Sequence, residues 1–502
     1  MTGDNTFGSH LRSLRKEKGL SQFQLGSLLG VSDRAVSKWE NGLAKPKSDV
    51  LVKLCSLLDI TSDALLGIHI DSYPNVSTGA DRKDFWSKTD ALLIERYGSS
   101  PSLEILSRYE KEKSAFYNTK LPQLFSLLAL LKNEAAQGNH GFEVLGNIGG
   151  SFIAFLLGVT DINSLPPHYY CPVCKSAEFV NTVKDGWDLP RKRCSYCGRD
   201  LQRDGHDIPF EVYSRSFMQN VGFDVLLDRQ FYAPAEKLAI DFLGNYSLKI
   251  IDNPNILYKK KLSSHAVTFI MIADDHYRTV EKVQEGVSCA QFSVMLANHA
   301  YINMLFDTSF DEYVALINAS GPTGMEIDYW NQQLYTMLQN CKSTVIPAFL
   351  LRRFQEILRT NQAVSFSDLL QLFGVSLILA EYPSTKMLLD SNAVSAHNFI
   401  VYRDDMYQLI FKKLREHDFF DSALAYTIMN DIRTGTFFHS GINDVSRTVL
   451  ESIGFSSDMI AILRRTPYLF PKAVGLIYLK MALTQTWYAH LPNGPQEIKG
   501  HL

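Results

Sequence analysis

Four cysteines in two tight pairs, Cys171-Pro-Val-Cys174 and Cys194-Ser-Tyr-Cys197, with 19 residues between the pairs, constrain this chain more than any other feature. Each C-x-x-C closes a turn that aims two thiolates at one point. Two such pairs at this spacing complete a tetrahedral four-cysteine zinc site, with the intervening segment folded back as a ribbon. A closed four-thiolate shell keeps no coordination position for water or substrate, so the expected ion is a structural zinc held by Cys171, Cys174, Cys194 and Cys197. The other three cysteines, Cys55, Cys289 and Cys341, are isolated. In a chain this long that is no disulfide framework, and a reducing cytoplasm fits better. Lys175, Lys184, Arg191, Lys192, Arg193 and Arg199 surround the pairs. They either balance the thiolates or touch a nucleic-acid backbone.

At 502 residues the chain exceeds one core and is expected to hold several domains. A hydrophobic content of 46% and a charged content of 21% are those of a globular protein, not a disordered or fibrous one. The net charge of −3 carries no global signature of nucleic-acid binding, so such a function must sit in local patches. The polar N-terminus has no apolar signal segment. The most apolar run, Val144 to Val159, is broken by Asn147 and glycines and falls short of a membrane span. The expectation is neither secretion nor a membrane.

The first seventy residues read as three short helices. Phe7, Leu11 and Leu14 mark an amphipathic first helix stopped at Gly19. Ser21 caps a second, expected to turn Phe23, Leu25, Leu28 and Leu29 inward. Gly30-Val31-Ser32 is a tight turn, and a third helix follows from Asp33 to Asn41, ended by Gly42. Two short helices across such a turn form a helix-turn-helix. The run "LSQFQLGSLLGVSDRAVSKWENGLAKP" resembles the Cro/C1-type (XRE) DNA-binding domain. The resemblance implies that the third helix enters the major groove of double-stranded DNA. Ser32, Asp33, Arg34, Ser37 and Lys38 would then reach bases or phosphates, and Gln22 would sit against the backbone, while Ala35, Val36 and Trp39 pack. With 9 basic against 7 acidic residues over 1–70, one head is expected to bind modestly, which makes a homodimer on paired half-sites the expected form.

Residues 1–68 are therefore read as the head and 69–84, rich in Ser, Pro, Gly, Asp and Asn, as a linker. Beyond it, "NIGGSFIAFLLGVTDINSLPPHYYCPVC", "GWDLPRKRC" and "DGHDIPFE" resemble the palm of PolC-type DNA polymerase III alpha subunits. "SALAYTIMNDIRTG" and "LESIGFSSDMIAILRRTPYLFPKA" are similar to that family's fingers. The resemblance implies a multidomain α+β protein: an all-α helix-turn-helix head, a mixed α/β palm over 85–340 with the zinc ribbon at 168–211, and mainly α fingers over 341–502.

A nucleotidyl transferase needs two or three carboxylates around two Mg2+ ions, and a small-residue loop for the triphosphate. The family's Gly-Ser-Arg-Gly-Ser-type run falls on Glu143 to Ser151, with the arginine position at Leu145 and two serine positions at Val144 and Asn147. Its Asp-x-Asp falls on Phe223 and Val225, and its third carboxylate on Asn303. A shifted register could recruit Asp224, Asp228 or Asp241, but residues 205–250 contain no Asp-x-Asp. The family's Ser-His-Gly-Thr run is Ser376-Leu-Ile-Leu379 here, and its Pro-Lys-Ala-His run is Pro471-Lys-Ala-Val474. The resemblance thus implies a retained fold with degenerate catalytic positions Phe223, Val225 and Asn303, and no polymerase activity.

His265 reads as a turn residue, and Asp274-Asp275-His276 as a solvated strand end. Lys259-Lys-Lys261 and Arg352-Arg353 are charge runs that face solvent or a nucleic-acid backbone. Two functions follow. One is a transcriptional regulator whose body binds a nucleic acid, nucleotide or replication protein. The other is a polymerase-mimicking decoy of a mobile-element or phage-conflict system.

Overall fold

The computed structural model describes residues 6–18, 20–41, 43, 44, 46, 50, 54, 79–117, 119, 121–219, 222–243, 247–252, 265–272, 300–320, 327–329, 331–341, 344–346, 348–390 and 395–490. Cys55, Cys289, Lys259–Lys261 and Asp274–His276 lie outside them, as do 69–78 of the expected linker. The chain divides into two compact units, Met1–Pro74 and Asn75–Leu502.

In the first unit, α1 (Thr6–Glu17), α2 (Gln22–Leu29) and α3 (Asp33–Glu40) enclose a core of Leu11, Leu25, Leu29, Val36 and Trp39, joined by Val50 and Leu54. The turn Gly30–Ser32 and the third helix fall where the sequence puts them. The second helix differs: Leu25 and Leu29 are buried, but Phe23 is 71% and Leu28 57% exposed. At 100° per residue an eight-residue helix gives one narrow face to the core, and the i, i+4 pair fills it. Phe23 lies two residues off that pair, on the opposite side.

One buried carboxylate ties the three helices together. Glu40, at the end of α3, accepts from Arg15 Nε at 2.5 Å and Nη2 at 3.1 Å, from Arg12 Nε at 3.2 Å and from Gln22 Nε2 at 2.7 Å. Burial alone would push this carboxyl up. The hydrogen bonds from Arg15, Gln22 and Arg12 and the Arg15 charge outweigh it and hold Glu40 below its ordinary value.

The second unit begins with α4 (Gly79–Tyr97), so Gly79–Asp84 of the expected linker are helical. It continues through α5 (Leu103–Phe116), α6 (Leu121–Gln137), β1 (Phe142–Leu145), a 3-10 turn at Gly146–Gly150 and α7 (Phe152–Leu156). The ribbon strands β2 (His168–Cys171), β3 (Ser176–Phe179) and β4 (Gln202–Asp204) follow. Next come α8 (Phe210–Gln219), β5 (Gly222–Leu227), α9 (Tyr232–Leu243), β6 (Ser247–Asp252), β7 (His265–Ile272) and β8 (Ala300–Phe306). His265 therefore opens a strand where a turn was expected. The rest is helical: α10 (Thr308–Ser320), α11 (Gln332–Asn340), α12 (Ala348–Thr360), α13 (Phe366–Glu381), α14 (Lys386–Asp390), α15 (Arg403–Glu416), α16 (Ser422–Arg433), α17 (Thr436–Ser440), α18 (Asp444–Ser452), α19 (Ser457–Arg465) and α20 (Lys472–Ala489).

The main sheet has the order β1-β5-β8-β7-β6, with β5 and β8 parallel and the other pairs antiparallel. Side chains alternate between its faces. Val144, Phe223, Val225, Leu227, Ile302 and Met304 enter one core with α4–α7, where Phe125 of α6 meets the Phe223 ring at 5.8 Å. Leu145, Leu226 and Leu305 enter a second core with α11–α13 and α20. That second core runs across the expected palm–fingers boundary at 340, so sheet and helices are packed as one body. A third core, built from α15–α19, includes Val212 of α8.

The Glu40 network yields a prediction. Glu40→Ala leaves the buried Arg15 guanidinium unpaired and should destabilise the head by about 3–5 kcal/mol. Hydrogen exchange on the full chain should show lost protection over residues 6–41, with the body unchanged. Because the folded-state carboxyl is depressed, its contribution is complete above the ordinary value of 4.5 and should fade as pH falls below it.

Candidate functional site

The metal centre forms where two knuckles face each other. Cys171 ends β2 and Cys174 lies in the turn to β3, where Lys175 takes a positive φ of 56° and its N–H bonds Cys171 O at 2.7 Å. The second knuckle is closed by Gly198 N–H to Cys194 O at 2.9 Å and Cys194 N–H to Arg199 O at 2.8 Å. The four Sγ atoms lie within 4.8 Å of one another, with Cys171–Cys197 at 3.5 Å and Cys174–Cys194 at 3.8 Å. Thiolates about 2.3 Å from a tetrahedral zinc stand about 3.8 Å apart, so the donor set and spacing fit this ion. Backbone N–H groups of Cys197 and Tyr196 lower the Cys194 thiol to about 7, while Cys197 and the other crowded thiols push Cys174 up to about 12, a crowding that a bound cation would relieve. Among the described residues, no other group of three or more His, Cys, Asp or Glu side chains is placed to hold a metal.

Several of the basic residues around the knuckles have carboxylate partners. Arg191 meets Asp328 at 3.1 Å, Lys192 meets Glu178 at 2.5 Å and Arg193 meets Asp200 at 3.4 Å. In α12, Arg352 and Arg353 pair with Glu356 at 3.7 and 3.2 Å.

The ribbon is fastened to the helical region by Asp185-Gly-Trp-Asp188, of which the run resembling the polymerase palm includes only Gly186 to Asp188. Buried Asp185 accepts from Trp187 N–H at 3.0 Å and pairs with buried His206 Nδ1 at 2.9 Å. Trp187 stacks on Tyr329 at 4.2 Å and meets Phe366 and His206 edge-on at 4.7 and 4.6 Å. Asp188 caps α13, accepting from Phe366 N–H at 2.6 Å and Ser367 N–H at 3.1 Å. The available signal was two aspartates flanking a Gly-Trp, a turn that offers carboxylates and an aromatic anchor together.

Around the sheet, the expected catalytic positions separate. Phe223 and Val225 are buried in the first core and belong to the packed face. The register pairs Asp224, not its neighbours, with Leu145 on one side and Asn303 on the other. The residue two further along this row is Leu226, which is buried. Asp228 is a structural cap whose carboxylate accepts from Gly141 N–H at 2.6 Å, Gln230 N–H at 2.9 Å and Phe231 N–H at 3.0 Å. Asp241 is an exposed residue of α9.

The glycine loop serves packing. A Cβ on Gly149 would stand 3.0 Å from Ala473, and one on Gly150 2.9 Å from Tyr213. Beside it, the Ser151 hydroxyl and the N–H groups of Phe152 and Ile153 all donate to buried Glu112, at 2.9, 2.9 and 3.0 Å, and Glu112 also pairs with Arg108 at 2.6 Å. Those donors hold an internal carboxylate. Asn147 accepts from buried Arg403 at 2.7 Å. Lys472, in the family's Pro-Lys-Ala-His run, is buried beside Asp405 at 3.2 Å. Ser376 is buried and donates to Phe373 O at 2.6 Å.

In the head, Ser32, Asp33, Arg34 and Lys38 are exposed, and Ser37 is half-buried. Ser32 Oγ also caps α3, accepting from Ala35 N–H at 3.3 Å, and Asp33 accepts from Arg34 N–H at 2.8 Å. Gln22 is half-buried, its amide held by Glu40 and not free to swing.

Residues 11–65 match the helix-turn-helix family model. The chain is 22% identical to the DNA polymerase III PolC-type of Clostridium perfringens (strain 13 / Type A) over 494 aligned positions, covering 85% of this chain and 33% of that protein. It is 24% identical to the DNA polymerase III PolC-type of Lacticaseibacillus paracasei over 471 positions, covering 79% and 31%. One stretch of 139 residues is 36% identical to the DNA polymerase III PolC-type of Streptococcus thermophilus (strain CNRZ 1066), covering 27% of this chain and 9% of that one. The chain thus spans about a third of the length of the first two relatives and about a tenth of the third. Residues 11–65 are an XRE-type helix-turn-helix domain, and PolC-type polymerases are homologous over most of the chain.

Zinc-loaded protein should contain one zinc ion per chain by elemental analysis. Cys194→Ser should lower affinity for zinc and expose the Trp187 contact, read as a red shift in tryptophan emission on chelation at a concentration that leaves the wild type loaded.

Proposed function

We propose that this protein is a sequence-specific, DNA-binding transcriptional regulator whose polymerase-like body does not polymerise and acts as a sensor or interaction module. The observation that carries the regulatory part is the head: a helix-turn-helix whose third helix offers Ser32, Asp33, Arg34 and Lys38 on its exposed side, opposite buried Val36 and Trp39. Arg34 suits a base edge and Lys38 a phosphate. An eight-residue recognition helix reads few bases, so two copies on half-sites about 34–36 Å apart would supply the remaining specificity.

Loss of polymerisation is supported by the row beside Asn303. Two-metal phosphoryl transfer uses at least two carboxylates on one face; the immediate neighbours of Asp224 there are Leu145, Asn303 and Leu226, and the other acid that β1 places on that face, Glu143 opposite Leu226, is pushed toward its neutral form by burial. The thiolate cluster and the expected zinc suit a reducing cytoplasm. The body then serves by contact, with a nucleic acid, a nucleotide or a replication protein as its partner.

Selection of preferred duplexes from a random library by the full chain, followed by binding titrations, tests this reading. A defined site should be enriched. Arg34→Ala should cost about 1–3 kcal/mol and relax preference at one base, while Lys38→Ala should weaken all sequences alike and reduce the salt slope by about one. A library that emerges without enrichment, or an Arg34→Ala chain with unchanged preference, contradicts it.

A further inference from the structure

We propose that the tip of the zinc ribbon binds single-stranded nucleic acid, with Tyr196 as the base-stacking residue. This goes beyond the regulatory reading, since neither operator recognition nor loss of polymerisation requires it.

Tyr196 lies between the ligand cysteines 194 and 197 and is 85% exposed. A large aromatic ring this open gains nothing for the fold. Its backbone, however, is fixed on both sides: Cys194 and Gly198 are joined at 2.9 Å and Cys194 and Arg199 at 2.8 Å. The ring is thus displayed on a turn with little freedom left to lose, which lowers the ordering cost of binding. Val173, at the matching place in the facing knuckle, is likewise open, at 52% exposed.

The surrounding charge selects the ligand. Lys175, Lys184, Arg191, Lys192, Arg193 and Arg199 are all exposed, against the exposed carboxylates Glu178 and Asp200 and the half-buried Asp328 that holds Arg191. Zinc with four thiolates carries a double negative charge, which answers part of this excess and leaves the remainder facing outward. The pairs that Arg193 and Lys192 make are themselves exposed, with Arg193 80% and Asp200 82% accessible. Such pairs are weak and exchange readily for a phosphate. A ring flanked by cations matches a strand whose bases are unstacked and whose phosphates lie within reach. A duplex keeps its bases stacked and offers this ring nothing beyond its phosphates. No base-edge reader or 2′-hydroxyl reader accompanies Tyr196, so DNA and RNA strands should bind comparably.

The test uses the zinc-loaded full chain and fluorescence anisotropy with labelled oligo-dT and oligo-rU strands of about 20 nucleotides, and a duplex of equal length and unselected sequence. Tyr196→Ala should weaken both strands about tenfold and leave duplex affinity and zinc content unchanged, whereas Tyr196→Phe should bind as the wild type does. Arg199→Ala should lower the salt slope for strands by about 0.7. The proposal is overturned if neither strand binds, if Tyr196→Ala binds strands as tightly as the wild type, or if Arg34→Ala in the head abolishes strand binding. A failed operator selection would leave the strand result standing, so the two readings fail separately.

Discussion

The register of one parallel strand pair fixes which side chains of the main sheet share a face. With Gly222 beside Tyr301 and Asp224 beside Asn303, strand parity sends Phe223, Val225 and Leu227 into one core and Leu226 into the other. A slip of one residue would exchange the faces and turn Asp224 into the core that Phe223 and Val225 fill, where an unpaired carboxylate is costly. Asp224 is therefore held in a row whose nearest positions are Leu145 and Asn303. Where a two-metal enzyme gathers negative charge to bind cations, this face of β1, β5 and β8 carries Asp224 and Glu143 two positions out of register, with Leu145, Leu226 and Asn303 around them.

The segments whose sequence resembles polymerase substrate elements are engaged by partners within the chain. Gly149 and Gly150 let Ala473 and Tyr213 approach, and Glu112 occupies the donors at Ser151–Ile153. Arg403 is engaged by Asn147, and Lys472 by Asp405. Buried charges of this kind hold only when paired, so each is committed to the fold. The zinc ribbon has the same scaffold character at its base, where Asp188 and Trp187 fasten it to α13, and differs only at its tip, where charge and an aromatic ring face out.

Much of this was legible in the sequence, for local reasons. The four metal ligands and the three helices of the head are set by short-range spacing and turn residues. Phe23 and Leu28 misled because hydrophobicity alone does not say which side of an eight-residue helix is covered. The Asp185–Asp188 fastening was not legible, because its partner at Phe366 lies 178 residues away. That Asp224 faces away from Phe223 and Val225 follows from strand alternation, but its row partners Leu145 and Asn303 lie far away in sequence and only the pairing with β1 and β8 reveals them. The Glu112 cap was hidden likewise, since a glutamate in "YEKEKS" looks like one more solvated charge of a helix.

The central claim is that a polymerase-like body persists without the carboxylates of polymerisation. Primer extension by the full chain on a primed template, with Mg2+ or Mn2+ and all four deoxynucleotides, addresses it most directly. The account predicts no template-dependent incorporation, by the wild type or by Asp224→Ala. Incorporation by the wild type that disappears in Asp224→Ala would contradict it, because Asp224 would then be acting as a catalytic carboxylate.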